Sequence, residues 1–174
     1  MEAKPRIFIA SSVEGIPVAE SVHCNLDYVC EPVPWHGGFY DLNISVLETL
    51  DEKINLDSCQ FAVFVFTPDD VLKIRKKNKK SVRDNVLIEL GFMCGRLGRN
   101  RCFVLIPRSC DNLRIPTDLH GIIPLSYNDK RSDKNLLSAT IPPCREIKEM
   151  IGKIGRIGSP TKAIVQNAID VKSA

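Results

Sequence analysis

Apolar residues along the chain fall into five short runs, Arg6 to Ala10, Tyr28 to Val33, Phe61 to Thr67, Cys102 to Ile106 and Ile122 to Tyr127, separated by stretches with helical spacing. Strands alternating with helices predict an α/β domain built on a parallel sheet. The third run, Phe61-Ala62-Val63-Phe64-Val65-Phe66, is apolar without interruption, which places it mid-sheet and covered on both faces. Val18 to Leu26 and Ile44 to Ile54 read as helices; in the second, Ile44, Leu47, Leu50 and Ile54 recur at helical spacing behind Asn43 as cap. A last helix is expected from about Pro143 to Ile154, after a polar stretch from Asn128 to Lys134.

The segment Asn85 to Gly95 is an apolar helix in which Glu89 is the only ionisable side chain besides Cys94. One turn away on its own face lie Asn85, Val86, Phe92 and Met93, so the helix itself offers Glu89 no cation. Because burying a carboxylate without a partner is expensive, Glu89 is expected either to face water or to line a cleft. Ser81 to Asp84 is expected to start this helix, as a capping box or with Asp84 as cap, and Gly95 or Gly98 to end it.

In an open parallel sheet, ligands bind outside the carboxyl ends of the strands. That rule selects three loops, Ser11 to Gly15, Pro34 to Tyr40 and Thr67 to Asp70, and brings the start of the Glu89 helix to the same rim. Ser11 and Ser12 can present hydroxyls to a phosphate or ribose, or serve an ordinary turn. The loop Trp35-His36-Gly37-Gly38-Phe39-Tyr40 suits either a mobile cover for a planar ligand or a segment anchored to its own domain, and for Trp35 the anchor is preferred. Thr67-Pro68-Asp69-Asp70 reads as helix capping, since adjacent carboxylates point apart. His23, His36 and His120 lack zinc spacing, so no metal site is expected.

Composition narrows the classes. The chain has 174 residues, enough for one well-buried core, with a domain expected over 1–157 and a linker or tail over 158–174. The net charge of +3 is mild, and the basic run from Lys73 to Lys80 carries no aromatic for base stacking, so it reads as a solvated loop and no nucleic-acid partner is expected. Seven cysteines without a C-x-x-C pair argue against a disulfide framework. No apolar stretch suits a signal peptide or membrane span, so the expected compartment is the cytoplasm.

Arg6 to Ser12, Phe61 to Asp70, Arg83-Asp84-Asn85-Val86-Leu87-Ile88-Glu89-Leu90-Gly91-Phe92 with Gly95-Arg96-Leu97-Gly98-Arg99, and Ile115 to Ile122 together resemble the TIR-like nucleotide-binding family of bacterial anti-phage effectors. The likeness covers roughly residues 5 to 130, and within the family it is to the TIR half of TIR-STING proteins, effectors of cyclic-dinucleotide (CBASS) signalling. The resemblance implies a flavodoxin-like fold, a five-stranded parallel sheet with helices on both faces, and hydrolysis of NAD as substrate with no cofactor. It implies Glu89 as the catalytic carboxylate, Phe39 as a substrate-side aromatic, and Ser11 and Ser12 at the pocket edge. Asn85 stands where more distant TIR NADases carry a tryptophan, so it is a candidate substrate contact without a stacking role.

The expected reaction is release of nicotinamide from NAD, leaving linear or cyclised ADP-ribose, in antiviral defence. Silence at rest implies control by self-association into an oligomer or filament, with a fused or separate cyclic-nucleotide sensor as partner. Two rival classes stay open: a non-catalytic TIR assembly or nucleotide-binding module, and a nucleoside deoxyribosyltransferase-like enzyme.

Overall fold

The computed structural model describes residues 3–35, 59–74, 77–110, 113, 121–122 and 124–157. Its main sheet holds β1 (Arg6–Ser11), β2 (Glu31–Pro34), β3 (Phe61–Val65), β6 (Cys102–Pro107) and β7 (Leu125–Tyr127), all parallel, in the order β2-β1-β3-β6-β7. A two-stranded antiparallel hairpin, β4 (Asp70–Ile74) with β5 (Lys77–Ser81), stands apart from it. The helices are α1 (Ile16–Leu26), α2 (Asp84–Leu97) and α3 (Leu136–Ile154). This is the expected α/β, flavodoxin-like arrangement.

Alternation along the strands divides the core into two layers. Ile7, Ile9, Phe61, Val63, Val65, Phe103 and Leu105 point to one face, where α1 and α3 cover them with Val18, Val22, Leu26, Cys144, Ile147 and Ile151. Phe8, Ala10, Ala62, Phe64, Phe66 and Val104 point to the other, against Val86, Leu90, Met93 and Leu97 of α2. Both faces of β1 and β3 are therefore closed to water, which explains why their sequences are continuously apolar rather than alternating. The edge strand β2 tolerates Pro32 and Pro34 because it pairs on one side only. All seven cysteines are free thiols.

Several expectations are corrected. The last helix starts at Leu136, not near Pro143: Asn135 caps it by accepting the Ser138 N–H at 2.9 Å, and Pro142 and Pro143 lie inside. The helix survives its missing donors because Ala139, Pro143 and Cys144 are buried and Asn25 of α1 donates to the Leu137 carbonyl and the Thr140 hydroxyl. The basic run expected to be a loop forms much of the hairpin, and Thr67 to Asp70 leads into β4 rather than capping a helix. No capping box starts α2: Arg83 is its N-cap through extended backbone, without a side-chain bond, and Gly98 (φ 88°) ends it. Tyr28 to Cys30 form the turn after α1, and the last strand begins at Leu125 rather than Ile122. Asn43, the helix expected over Ile44 to Ile54, the Ile115 to His120 stretch, His36 and the 158–174 tail lie outside the described residues.

The two faces of α2 make a direct test of this packing. Leu90→Ala, at a fully buried position, should cost about 2–5 kcal/mol in urea unfolding. Ile88→Ala, at a side chain 53% exposed, should stay within about 0.5 kcal/mol of the parent.

Candidate functional site

Strands β1 and β3 are neighbours, yet the helix that follows β1 lies on one face of the sheet and the helix reached from β3 lies on the other. Their carboxyl ends thus flank a topological switch point, where such folds open a crevice. A cavity of about 460 Å³ lies there, lined by Ser11, Ser12, Val13, Glu14, Trp35, Arg83, Asn85, Val86 and Glu89. Its size is that of a small-molecule site.

Each lining residue owes its position to a different element. Ser11 ends β1 in register with Val65, and Ser12 follows it. Asn85, Val86 and Glu89 come from the first turns of α2, and Glu89 sits on the buried stripe of that helix with Val86, Leu90, Met93 and Leu97. Of the two environments expected for Glu89, the structure selects the cleft: the side chain is 5% exposed and lines the cavity.

Hydrogen-bond direction separates the two serines. The Thr67 hydroxyl donates to the Asp69 carboxylate at 2.6 Å, so its proton is committed, and in the 2.8 Å contact with Ser12 the serine must be the donor. Ser12 Oγ also accepts the Gly15 N–H at 3.3 Å, which leaves it acceptor capacity alone toward a ligand. Ser11 Oγ accepts the Trp35 indole N–H at 3.0 Å and keeps its proton for donation. Trp35 itself is thus tied to the end of β1, as the anchor preferred from sequence requires, while also bordering the cavity.

At the rim, Arg83 donates to Glu14 at 2.7 Å, an ion pair whose two side chains are each about half exposed. The backbone N–H of Glu14, and after it the Arg83 guanidinium, hold the Glu14 carboxyl below its ordinary range. Gly15 completes the turn because a Cβ there would lie 2.9 Å from the Ser11 Cβ, so only glycine lets the α1 entry pass this close to the serine.

Sequence reasoning brought Ser11, Ser12, Asn85 and Glu89 to one rim, and the structure places all four on one cavity. Phe39 lies outside the described residues, as do Gly37 and Gly38. Glu14 and Arg83 were not singled out as site residues, because their pairing joins positions 69 apart in the sequence. Among the described residues no group of three or more His, Cys, Asp or Glu side chains is placed to hold a metal ion, and no helix is long and apolar enough to cross a membrane.

A parallel flavodoxin-like sheet with a carboxylate-bearing helix at its switch point defines an α/β domain with a ligand crevice at that point. Residues 6–129 match the family described as CAP12/Pycsar effector protein, TIR domain, and the chain belongs to it. It is 37% identical to the Pycsar effector protein PaPycTIR of Pseudomonas aeruginosa over 150 residues, 86% of this chain and 48% of that protein. It is 35% identical to the CD-NTase-associated protein 12 of Flavobacterium daejeonense over 170 residues, 92% of this chain and 52% of that one. A Pycsar effector protein of Xanthomonas perforans, XpPycTIR, is 35% identical over 149 residues, 84% of this chain and 47% of the relative. The chain spans about half the length of these curated relatives.

Paired glycine substitutions test the packing of the serine loop. Gly15→Ala should cost about 1–3 kcal/mol in urea unfolding, because the new methyl group forces Ser11 aside. Gly91→Ala, where no atom lies within 4 Å of the added Cβ, should stabilise α2 by about 0.5–1 kcal/mol.

Proposed function

We propose that this chain is an NAD glycohydrolase that cleaves the bond between nicotinamide and ribose and acts as an anti-phage effector. The observation that carries the reading is the buried side chain of Glu89 on the wall of the switch-point cavity that Ser11 and Ser12 also line.

The chemistry explains why one carboxylate suffices. Glycosidases acting on sugars use two, because an alkoxide leaving group needs a proton while a second group handles the sugar cation. Nicotinamide leaves NAD from a pyridinium and departs neutral, so no general acid is required. What remains is to hold the ribose and stabilise positive charge developing at its anomeric carbon, to which a water molecule then adds as the bond to nicotinamide breaks, with release of a proton to solvent. An ionised Glu89 does this electrostatically, most effectively where water is excluded. Ser12, able only to accept, suits a ribose hydroxyl; Ser11, with a proton to give, suits a ligand oxygen. Asn85 lies one turn before Glu89 on the same wall, and Phe39 is assigned by resemblance to the nicotinamide side.

The domain is taken as residues 1–157, with a linker or tail over 158–174, working in the cytoplasm. Its activating input is a cyclic-nucleotide signal sensed by a fused or separate partner, as in TIR-STING proteins. That relatives are named Pycsar effectors or for association with a CD-NTase supports this context.

Glu89→Gln keeps shape and hydrogen bonding but removes charge. Release of nicotinamide, followed by chromatography, should fall by orders of magnitude while the melting temperature holds or rises. Near-normal turnover in this variant would remove Glu89 from the mechanism.

Control by assembly makes a separate claim. Specific activity of the 174-residue protein should rise steeply with its concentration or with clustering on a surface. Full specific activity at every concentration, in a sample that light scattering finds monomeric, would refute the assembly requirement and leave the catalytic assignment standing.

A further inference from the structure

Among its described residues, the cavity that holds Glu89 has an unusual charge distribution for a site that takes an anionic dinucleotide. Its described lining carries two carboxylates, Glu14 and Glu89, against one cation, Arg83. A diphosphate entering there meets repulsion from both acids, and the guanidinium is the described lining group able to offset it. Arg83 is already engaged, donating to Glu14 at 2.7 Å across the rim, from the N-cap of α2 to the loop after β1.

That engagement is exchangeable. Both side chains are about half exposed, and ion pairs in that setting are weak and screened by salt. A diphosphate offers the guanidinium a paired acceptor edge and two negative charges where the carboxylate has one. The backbone of Arg83 is held by the helix it caps, while its side chain takes no part in the capping and lines the cavity. It lies six positions before Glu89, about 9 Å along a helix axis. Side chains at the two ends of that span reach the ribose and the diphosphate of one dinucleotide, with Asn85 between them.

We propose that Arg83 is the diphosphate-binding residue of this pocket and that Glu14 occupies it as a built-in competitor until the substrate displaces the carboxylate. This rests on the dinucleotide reading of the site and adds to it a specificity element: the pocket rejects small anions too weak to break the ion pair and admits ligands that bring a diphosphate together with a ribose.

ADP-ribose, which has the diphosphate but no nicotinamide bond, separates binding from turnover. Its affinity for the 174-residue protein is to be measured by calorimetry for the parent, Arg83→Gln, Arg83→Lys and Glu14→Gln, with nicotinamide riboside as the probe without phosphate. Arg83→Gln should weaken ADP-ribose binding at least tenfold, Arg83→Lys should fall between, and Glu14→Gln should tighten it several-fold. Nicotinamide riboside affinity should not follow these changes. Binding of ADP-ribose by Arg83→Gln as tightly as by the parent would overturn the proposal. So would weakening by Glu14→Gln equal to that of Arg83→Gln, which would make Glu14 a support rather than a competitor, and so would a parent protein that does not bind ADP-ribose. Arginine-dependent ADP-ribose binding in a protein that leaves NAD intact even when concentrated and clustered on a surface would sink the glycohydrolase reading while this one stands.

Discussion

The parallel pairing of β1 with β3 is the constraint on which the rest of this molecule depends. Ile7 to Ser11 register against Phe61 to Val65 in a pair closed to water on both faces, so neither strand can slip without moving large apolar side chains to the wrong layer. A shift of one residue would send Phe8 and Phe64 toward α1 and Ile9 and Val63 toward α2. Register in turn sets Ser11 level with Val65, which brings Ser12 to Thr67 and lets their hydroxyls meet at 2.8 Å. The polar rim is built as the continuation of an apolar ladder.

That rim is rigid for a second reason. A chain of hydrogen bonds runs from Ser12 through Thr67 to Asp69, and another ties the Trp35 indole to Ser11. Each links the end of one strand to the segment following another, so the loops at the switch point are cross-braced where they border the cavity. All three hydroxyl-bearing residues are less than 9% exposed, and at that depth an unpaired polar group would be costly. Their bonds therefore specify the loop geometry more than they add to net stability.

Legibility from sequence followed the range of the signal. Where local pattern and tertiary role agree, as in the central strand at Phe61 or the helix bearing Glu89, the reading held. At Pro142 and Pro143 it failed, because proline is a local start signal for a helix, whereas Asn135 and burial against α1 decide where α3 begins. The run of lysines gave no hint of a hairpin, since hydrophobic periodicity is the usual strand signal and this pairing has none. Ser81 with Asp84 had the composition of a capping box, yet Ser81 closes a strand and its hydroxyl donates to Val82. The Glu14 to Arg83 pair was invisible because no local pattern relates the two residues; only the approach of the β1 and α2 ends at one rim brings them within 2.7 Å.

Glu89 shows how the apolar pattern and the chemistry are coupled. A helix turns 100° per residue, so the rotation of α2 about its axis is set by whichever stripe is buried. Val86, Leu90, Met93 and Leu97 form that stripe against β1, β3 and β6, and Glu89 lies within it rather than opposite it. An apolar residue at 89 would complete the seam, as the pattern alone would favour. The carboxylate is held in the protein's interior by its apolar neighbours, one position from Leu90, where the sheet ends and the cavity begins. Its orientation is therefore enforced by core packing, and any substitution that rotates α2 even by part of one residue step moves the carboxylate away from the serines while leaving every residue of the site in place in the sequence.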